Sequence, residues 1–134
     1  MTNPNLQSDI VTMPSAGTVA DSLDRLEKLA RSHGMTIFSR IDFSGDAAAA
    51  GMPLRTMQLL ILGSPKGGTP LMQAVVSVAL DLPLKVLAWQ DDAGVCQLSF
   101  NHPEYLQRRH GFPAPLVANI AGLSTLIEAA SKNG

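Results

Sequence analysis

The feature that most constrains the fold is MQLLILG at 57–63, apolar at every position except Gln58 and Gly63 and stopped at once by GSPKGGTP. Such a run falls well short of the ~20 apolar residues a membrane helix needs. Short, uninterrupted and ended by glycine and proline, it predicts a central strand buried on both faces.

The flanking segments supply the rest of a layered domain. TVADSLDRLEKLARSHG predicts a helix, with Thr18 capping it and Asp21 completing a capping-box pair. Val19, Leu23, Leu26 and Leu29 or Ala30 form its apolar stripe, and Gly34 stops it. Residues 7–13 predict a first strand. MTIFSRIDF at 35–43 predicts a second, with Ile37, Ser39 and Ile41 on one face and Phe38, Arg40 and Asp42 on the other. SGDAAAAGM follows as a short helix closed by Gly51. Thr69 before Pro70 reads as the cap and first position of a helix from 70 to about 79. PLKVLAWQDD and VCQLSFN, joined across DDAG, predict a β-hairpin, with Leu84, Val86 and Ala88 alternating on one strand and Val95, Gln97 and Ser99 on the other. HPEYLQRRHG is a short helix between Pro103 and Gly111, and a closing helix over 114–131 carries Leu116, Ile120, Leu123 and Ile127.

Hairpin-joined strands with helices between the others predict an α+β class: an antiparallel or mixed sheet with helices on one face. A chain of 134 residues fits one domain, here an N-terminal segment with the first strand at 1–14 and the domain proper at 15–134. At this size a chain buries about two-thirds of its unfolded surface and needs no metal or disulfide.

Charged residues make up 16% of the chain, below the roughly 25% usual in soluble domains. A surface short of charge hides part of itself against a partner, so a two-fold homodimer is expected. A formal net charge of -1, with only Arg108 and Arg109 adjacent, argues against nucleic acid as a partner. The lone Cys96 cannot close an internal disulfide, and MTNPNLQSDI has neither the basic nor the apolar region of a secretory signal. Both point to a cytoplasmic protein without membrane attachment.

Strand, glycine-rich stretch and helix in this order suggest a phosphate site. Gly63 and Gly68 have Walker A spacing, but Thr69 stands at the lysine position and Pro70 follows it, so the loop lacks both the phosphate grip and the Mg²⁺ ligand of a P-loop nucleotidase. A weaker form of the idea keeps Lys66, Gly67, Gly68 and Thr69 as a cradle for a carboxylate or phosphate, against the plainer reading of a turn and a cap. His110, beside Arg109 and near Tyr105, reads either as an acid–base or anion contact, or as a histidine favoured at a helix C-terminus, as His33 is. Asp81 and Asp42 each read as a functional acid or as a turn residue. Trp89 reads as core or dimer interface. No metal-ligand spacing links Cys96, His102 and His110, and no C-x-x-C-H marks haem, so no metal and no cofactor are expected.

LLILGSPKGGTPLMQ, ALDLPLKVLAWQDDAG and PEYLQRRHG, in this order, resemble the bacterial and archaeal domain of unknown function 302 family, as does GMTIFSRIDFSGDAAAAGMPLRTMQLLI before them. The resemblance spans about residues 15–130. It implies a TATA-binding-protein-like α+β fold, a curved, mainly antiparallel sheet with helices on one face, often dimeric, and it implies no reaction. Its pattern covers Asp42, Gly63, Pro65, Gly68, Thr69, Pro70, Leu71, Met72, Asp81, Leu82, Pro83, Trp89, Tyr105, Arg109 and His110, while Ser64, Gln90 and Phe100 depart from it. The polar members, with Lys66 and Gln73, imply a site made of Asp42, Lys66, Thr69, Gln73, Asp81, Tyr105, Arg109 and His110. The expected function is binding of an anionic small molecule at 66–70 with Arg109 and His110 assisting. The alternatives are an enzyme using His110 as acid–base and a pure dimerisation or protein-interaction domain.

Overall fold

A computed structural model describes residues 9–132. Five strands form one sheet in the order β1-β5-β4-β3-β2, with β1 Ile10–Ser15, β2 Thr36–Asp42, β3 Met57–Gly63, β4 Leu84–Gln90 and β5 Cys96–Asn101. Every neighbouring pair is antiparallel. The helices are α1 Val19–Ser32, α2 Phe43–Ala49, α3 Pro65–Ala74, α4 Pro103–His110 and α5 Ala118–Ser131, with 3-10 turns at Val76–Leu80 and Ala114–Val117. The class is α+β, as the sequence predicts. The predicted first strand lies partly outside the described residues, and its visible part is shifted to Ile10–Ser15, where it pairs with β5 as an edge of the sheet.

Local chemistry explains most boundaries. Thr18 Oγ1 accepts from the Asp21 N–H at 3.0 Å and the Asp21 carboxylate accepts from the Thr18 N–H at 3.3 Å, the reciprocal pair expected at α1. Gly34 at φ +79° and Gly111 at φ +75° follow α1 and α4 in the left-handed conformation that stops a helix.

The main core lies between one sheet face and α1 and α5. Leu60, Leu62, Val86, Ala88, Leu98 and Phe100 from the sheet meet Val19, Leu23 and Leu26 of α1 and Leu123, Leu126 and Ile127 of α5. A second cluster of Leu71, Val78, Leu106, Phe112 and Ile120 holds α3, the Val76–Leu80 turn and α4 together. Arg40 ties β2 to α1: its guanidinium donates to Asp24 and Glu27, each at 2.7 Å, and its Nε to Gln58 at 2.8 Å. Burial disfavours its charged form, but the Asp24 and Glu27 carboxylates outweigh that and raise its pKa further.

Two strand expectations are corrected. β3 is central, but only Leu60 and Leu62 of its alternating residues are buried; Met57, Leu59 and Ile61 face the side without helices and stay partly exposed. In β2 a register shift between Ile37 and Ser39 breaks the predicted alternation. Ile37 packs on the core, whereas Ser39 and Ile41 pair with Ile61 and Leu59 on the open face.

Candidate functional site

The glycine-rich stretch is not a loop. α3 begins at Pro65, and its cap is Ser64, not Thr69. The Ser64 carbonyl accepts from the N–H groups of Gly67 at 3.0 Å and Gly68 at 2.8 Å, and Ser64 Oγ accepts from Gly67 at 3.4 Å. Both glycine amides are therefore used inside the first turn and do not form an open anion cradle. Ser64–Pro65 meets the same cap-then-proline rule as Thr69–Pro70, and the earlier pair prevails. Pro70 then sits inside the helix, where it removes the bond its missing N–H would give to the Lys66 carbonyl. The helix stops at Ala74, and the predicted continuation to 79 is the separate 3-10 turn.

Gly67 has a packing role. A Cβ there would lie 2.8 Å from the Asn119 carbonyl oxygen at the start of α5, and the Asn119 side-chain amide donates to the Gly67 carbonyl at 3.1 Å. Glycine lets α3 and α5 approach at their N-terminal ends.

Where α3 and α5 diverge from that contact they bound a cleft of about 580 Å³. Its walls are mostly apolar: Met35, Phe38, Met72, Leu82, Leu84, Leu123 and Leu126. His33, Ser64, Thr69, Asn119 and Thr125 provide the polar positions, and Gly122 leaves open space on the α5 side. Of the sequence-predicted site residues, Gly68 and Thr69 line this cleft; Asp81, Arg109 and His110 do not. Lys66 is exposed on the same first turn, Gly67 packs beneath it, and Gln73 is exposed farther along α3.

Asp81, Arg109 and His110 meet elsewhere. His110 closes α4 with its side chain only 3% exposed, and its Nε2 lies 2.5 Å from Asp81 Oδ2. Arg109 Nη1 donates to the same carboxylate at 3.0 Å. On the other edge of the imidazole, Nδ1 is 2.9 Å from Ser77 Oγ. Ser77, in the Val76–Leu80 turn, was not singled out by sequence reasoning, since a lone serine between valines carries no local signal. A smaller cavity of about 240 Å³ opens beside this group, with Leu80, Asp81, Lys85 and Asn101 on its wall.

The remaining candidates have structural partners. Asp42 caps α2, accepting from the Gly45 N–H at 2.9 Å and the Ser44 hydroxyl at 2.7 Å. Those bonds, the Gly45 amide first, hold its carboxyl below the usual carboxylate range. Tyr105 packs on the second core cluster. His33 caps the C-terminus of α1, and His102 caps α4 by accepting from the Glu104 N–H at 3.3 Å. Cys96 is a buried, free core residue. Among the described residues, no three His, Cys, Asp or Glu side chains gather to hold a metal ion.

The fold matches the crystal structure of an uncharacterized conserved DUF302 protein from Bacillus stearothermophilus, with a TM-score of 0.82 over 92% of this chain and 98% of that one, at 17% identity. In sequence, 105 residues (78% of this chain) are 40% identical to proteins named fluoride-specific ion channel FluC 1 in Brucella suis and Brucella abortus. The chain spans about two fifths of those relatives, 41% and 39% of their lengths. Among the described residues one helical stretch, Ala114–Ser131, is long and apolar enough to cross a membrane, and here Ile120, Leu123, Leu126 and Ile127 of that stretch are buried inside the domain. Residues 11–130 match the family described as domain of unknown function DUF302, and the chain belongs to that family.

Proposed function

We propose that this domain binds a small molecule with an apolar body and an anionic head, the body in the cleft between α3 and α5 and the head at the α3 start. The observation that carries the reading is the cleft itself: about 580 Å³, apolar-walled, with His33, Ser64, Thr69, Asn119 and Thr125 as its polar positions. Ligand sites run roughly 300–1,000 Å³ and pair apolar walls with a few polar groups. The positive end of α3 and the Lys66 ammonium favour a negative head there. Arg109 and His110 take no part in this site.

Amide NMR of the ¹⁵N-labelled protein, titrated with medium-chain carboxylates and the corresponding alcohols, tests the reading. Saturable shifts at Gly68, Thr69 and Gly122 are expected, carboxylates should bind more tightly than alcohols, and Lys66→Ala should erase that difference. Gly122→Leu, which projects a side chain into open space, should keep the fold and abolish binding. No saturable shifts, or binding unchanged in Gly122→Leu, would refute it.

The sheet face without helices favours a second reading, a two-fold homodimer. Met57, Leu59, Ile61, Leu87 and Trp89 share that face, and Lys85 is the one charge on its β3 and β4 positions. A contiguous half-exposed apolar patch is characteristic of an interface between copies. Light scattering should give a dimer that Leu87→Lys converts to monomer; a wild-type monomer at tens of micromolar would end this reading.

A further inference from the structure

The geometry points to a second, covalent site: Ser77 is a nucleophile for acyl esters with a short apolar acyl group, His110 is its general base, and Asp81 positions the histidine. Two separate parts of the chain converge here, the Val76–Leu80 turn with Asp81 at its end and the last residue of α4. The imidazole bridges a hydroxyl at 2.9 Å from Nδ1 and a carboxylate at 2.5 Å from Nε2. A proton held on Nε2 by Asp81 leaves the Nδ1 lone pair aimed at the Ser77 hydroxyl. This is the nucleophile–base–orienter chain of serine hydrolases with the two ring nitrogens exchanged. Burial of the His110 ring fixes its orientation, while Ser77 itself is exposed to a substrate.

The apolar surroundings indicate the substrate class. Val76 is 82% exposed and Leu80 is 75% exposed, both on the turn that carries Ser77. Among the described residues nothing covers these two side chains, so an apolar acyl group gains by lying over them. Leu80 also walls the 240 Å³ cavity, giving that group somewhere to end. The charged groups in contact with the relay are Asp81 and, through it, Arg109; the next arginine of α4, Arg108, is paired with Asp9.

The chemistry balances without a further reactant. Ser77 Oγ forms a bond to the acyl carbonyl carbon as its proton moves to His110 Nδ1. The bond from that carbon to the alcohol oxygen breaks, and the leaving oxygen takes the proton from Nδ1. Water then attacks the acyl-serine, giving its proton to Nδ1; the carbon–Oγ bond breaks, Oγ recovers the proton, and the carboxylic acid departs. This site is independent of the cleft, since none of Ser77, Asp81 and His110 lines it.

Reaction of the intact chain with an alkyl fluorophosphonate, mapped by tandem mass spectrometry, tests the assignment. One adduct on Ser77 is expected, absent in Ser77→Ala and formed at least about 100-fold more slowly in His110→Gln, the usual range for loss of a general base. Because His110 is buried and its loss also perturbs packing, Ser77→Cys provides a second measurement in an otherwise intact molecule. Its alkylation by iodoacetamide should persist well below the ordinary thiol pKa of about 8.5, and Asp81→Asn in that background should move the pH profile upward. Ser77 labelled no faster than other exposed serines, or a Ser77→Cys thiol with an ordinary profile, would overturn the proposal.

Discussion

Gly67 and Gly122 are both helical glycines beside the α3–α5 cleft, yet alanine should act on them in opposite directions. At Gly67 the new methyl would meet the Asn119 carbonyl oxygen at 2.8 Å, a backbone atom that cannot swing aside. The helices must separate, at an overpacking cost of about 1–3 kcal/mol. That movement also stretches the 3.1 Å bond from the Asn119 amide to the Gly67 carbonyl, worth about 1 kcal/mol. Removing a helical glycine returns at most about 1 kcal/mol, so the net loss is about 1–3 kcal/mol. At Gly122 a Cβ meets nothing within 4 Å, so only the propensity term remains and Gly122→Ala should stabilise by about 1 kcal/mol. Urea unfolding followed by far-ultraviolet circular dichroism measures both. In thermal melts the two should move in opposite directions, by roughly 3–5 °C per kcal/mol for a domain of this size. A neutral or stabilising Gly67→Ala would refute the close-packing account of that glycine.

Leu98, fully buried on the helix-covered face of β5, should cost about 2–5 kcal/mol when cut to alanine, read from the urea midpoint. Asp42 and Asp91 are both held below the usual carboxylate range, Asp42 first by the Gly45 amide and Asp91 first by the Gln97 side chain and then the Val95 amide. Their unfolded forms take up protons sooner than their native forms, so the stability they add is complete above a pH of about 4 and is lost as the pH falls through the lower native values. The Asp42→Asn, Asp91→Asn double variant should therefore show a flatter acid-unfolding curve than wild type; an identical slope would refute the assignment. Cys96 is buried in the core, so a thiol reagent should react with it only under denaturing conditions, measured as thiol release of colour with and without urea.

What the sequence determined by itself lies within a few residues of its cause. The Thr18–Asp21 box, the stops at Gly34 and Gly111, the stripe on α1 and the hairpin over DDAG all depend on neighbours along the chain, and each formed as predicted. The class follows from their order, because short antiparallel strands and amphipathic helices have few ways to bury one another. The tertiary structure decided everything that required two distant segments. Ser64–Pro65 and Thr69–Pro70 are equivalent as local signals, and the N-terminus of α3 is set where Gly67 meets Asn119, 52 residues on. An apolar strand such as β3 does not reveal whether helices will cover one face or both. The predicted site residues are alike in polarity, but packing divides them between the α3–α5 cleft, the Asp81–His110 pair and the cap of α2. Ser77 becomes chemically interesting only when α4, formed 33 residues later, delivers the His110 imidazole to its hydroxyl.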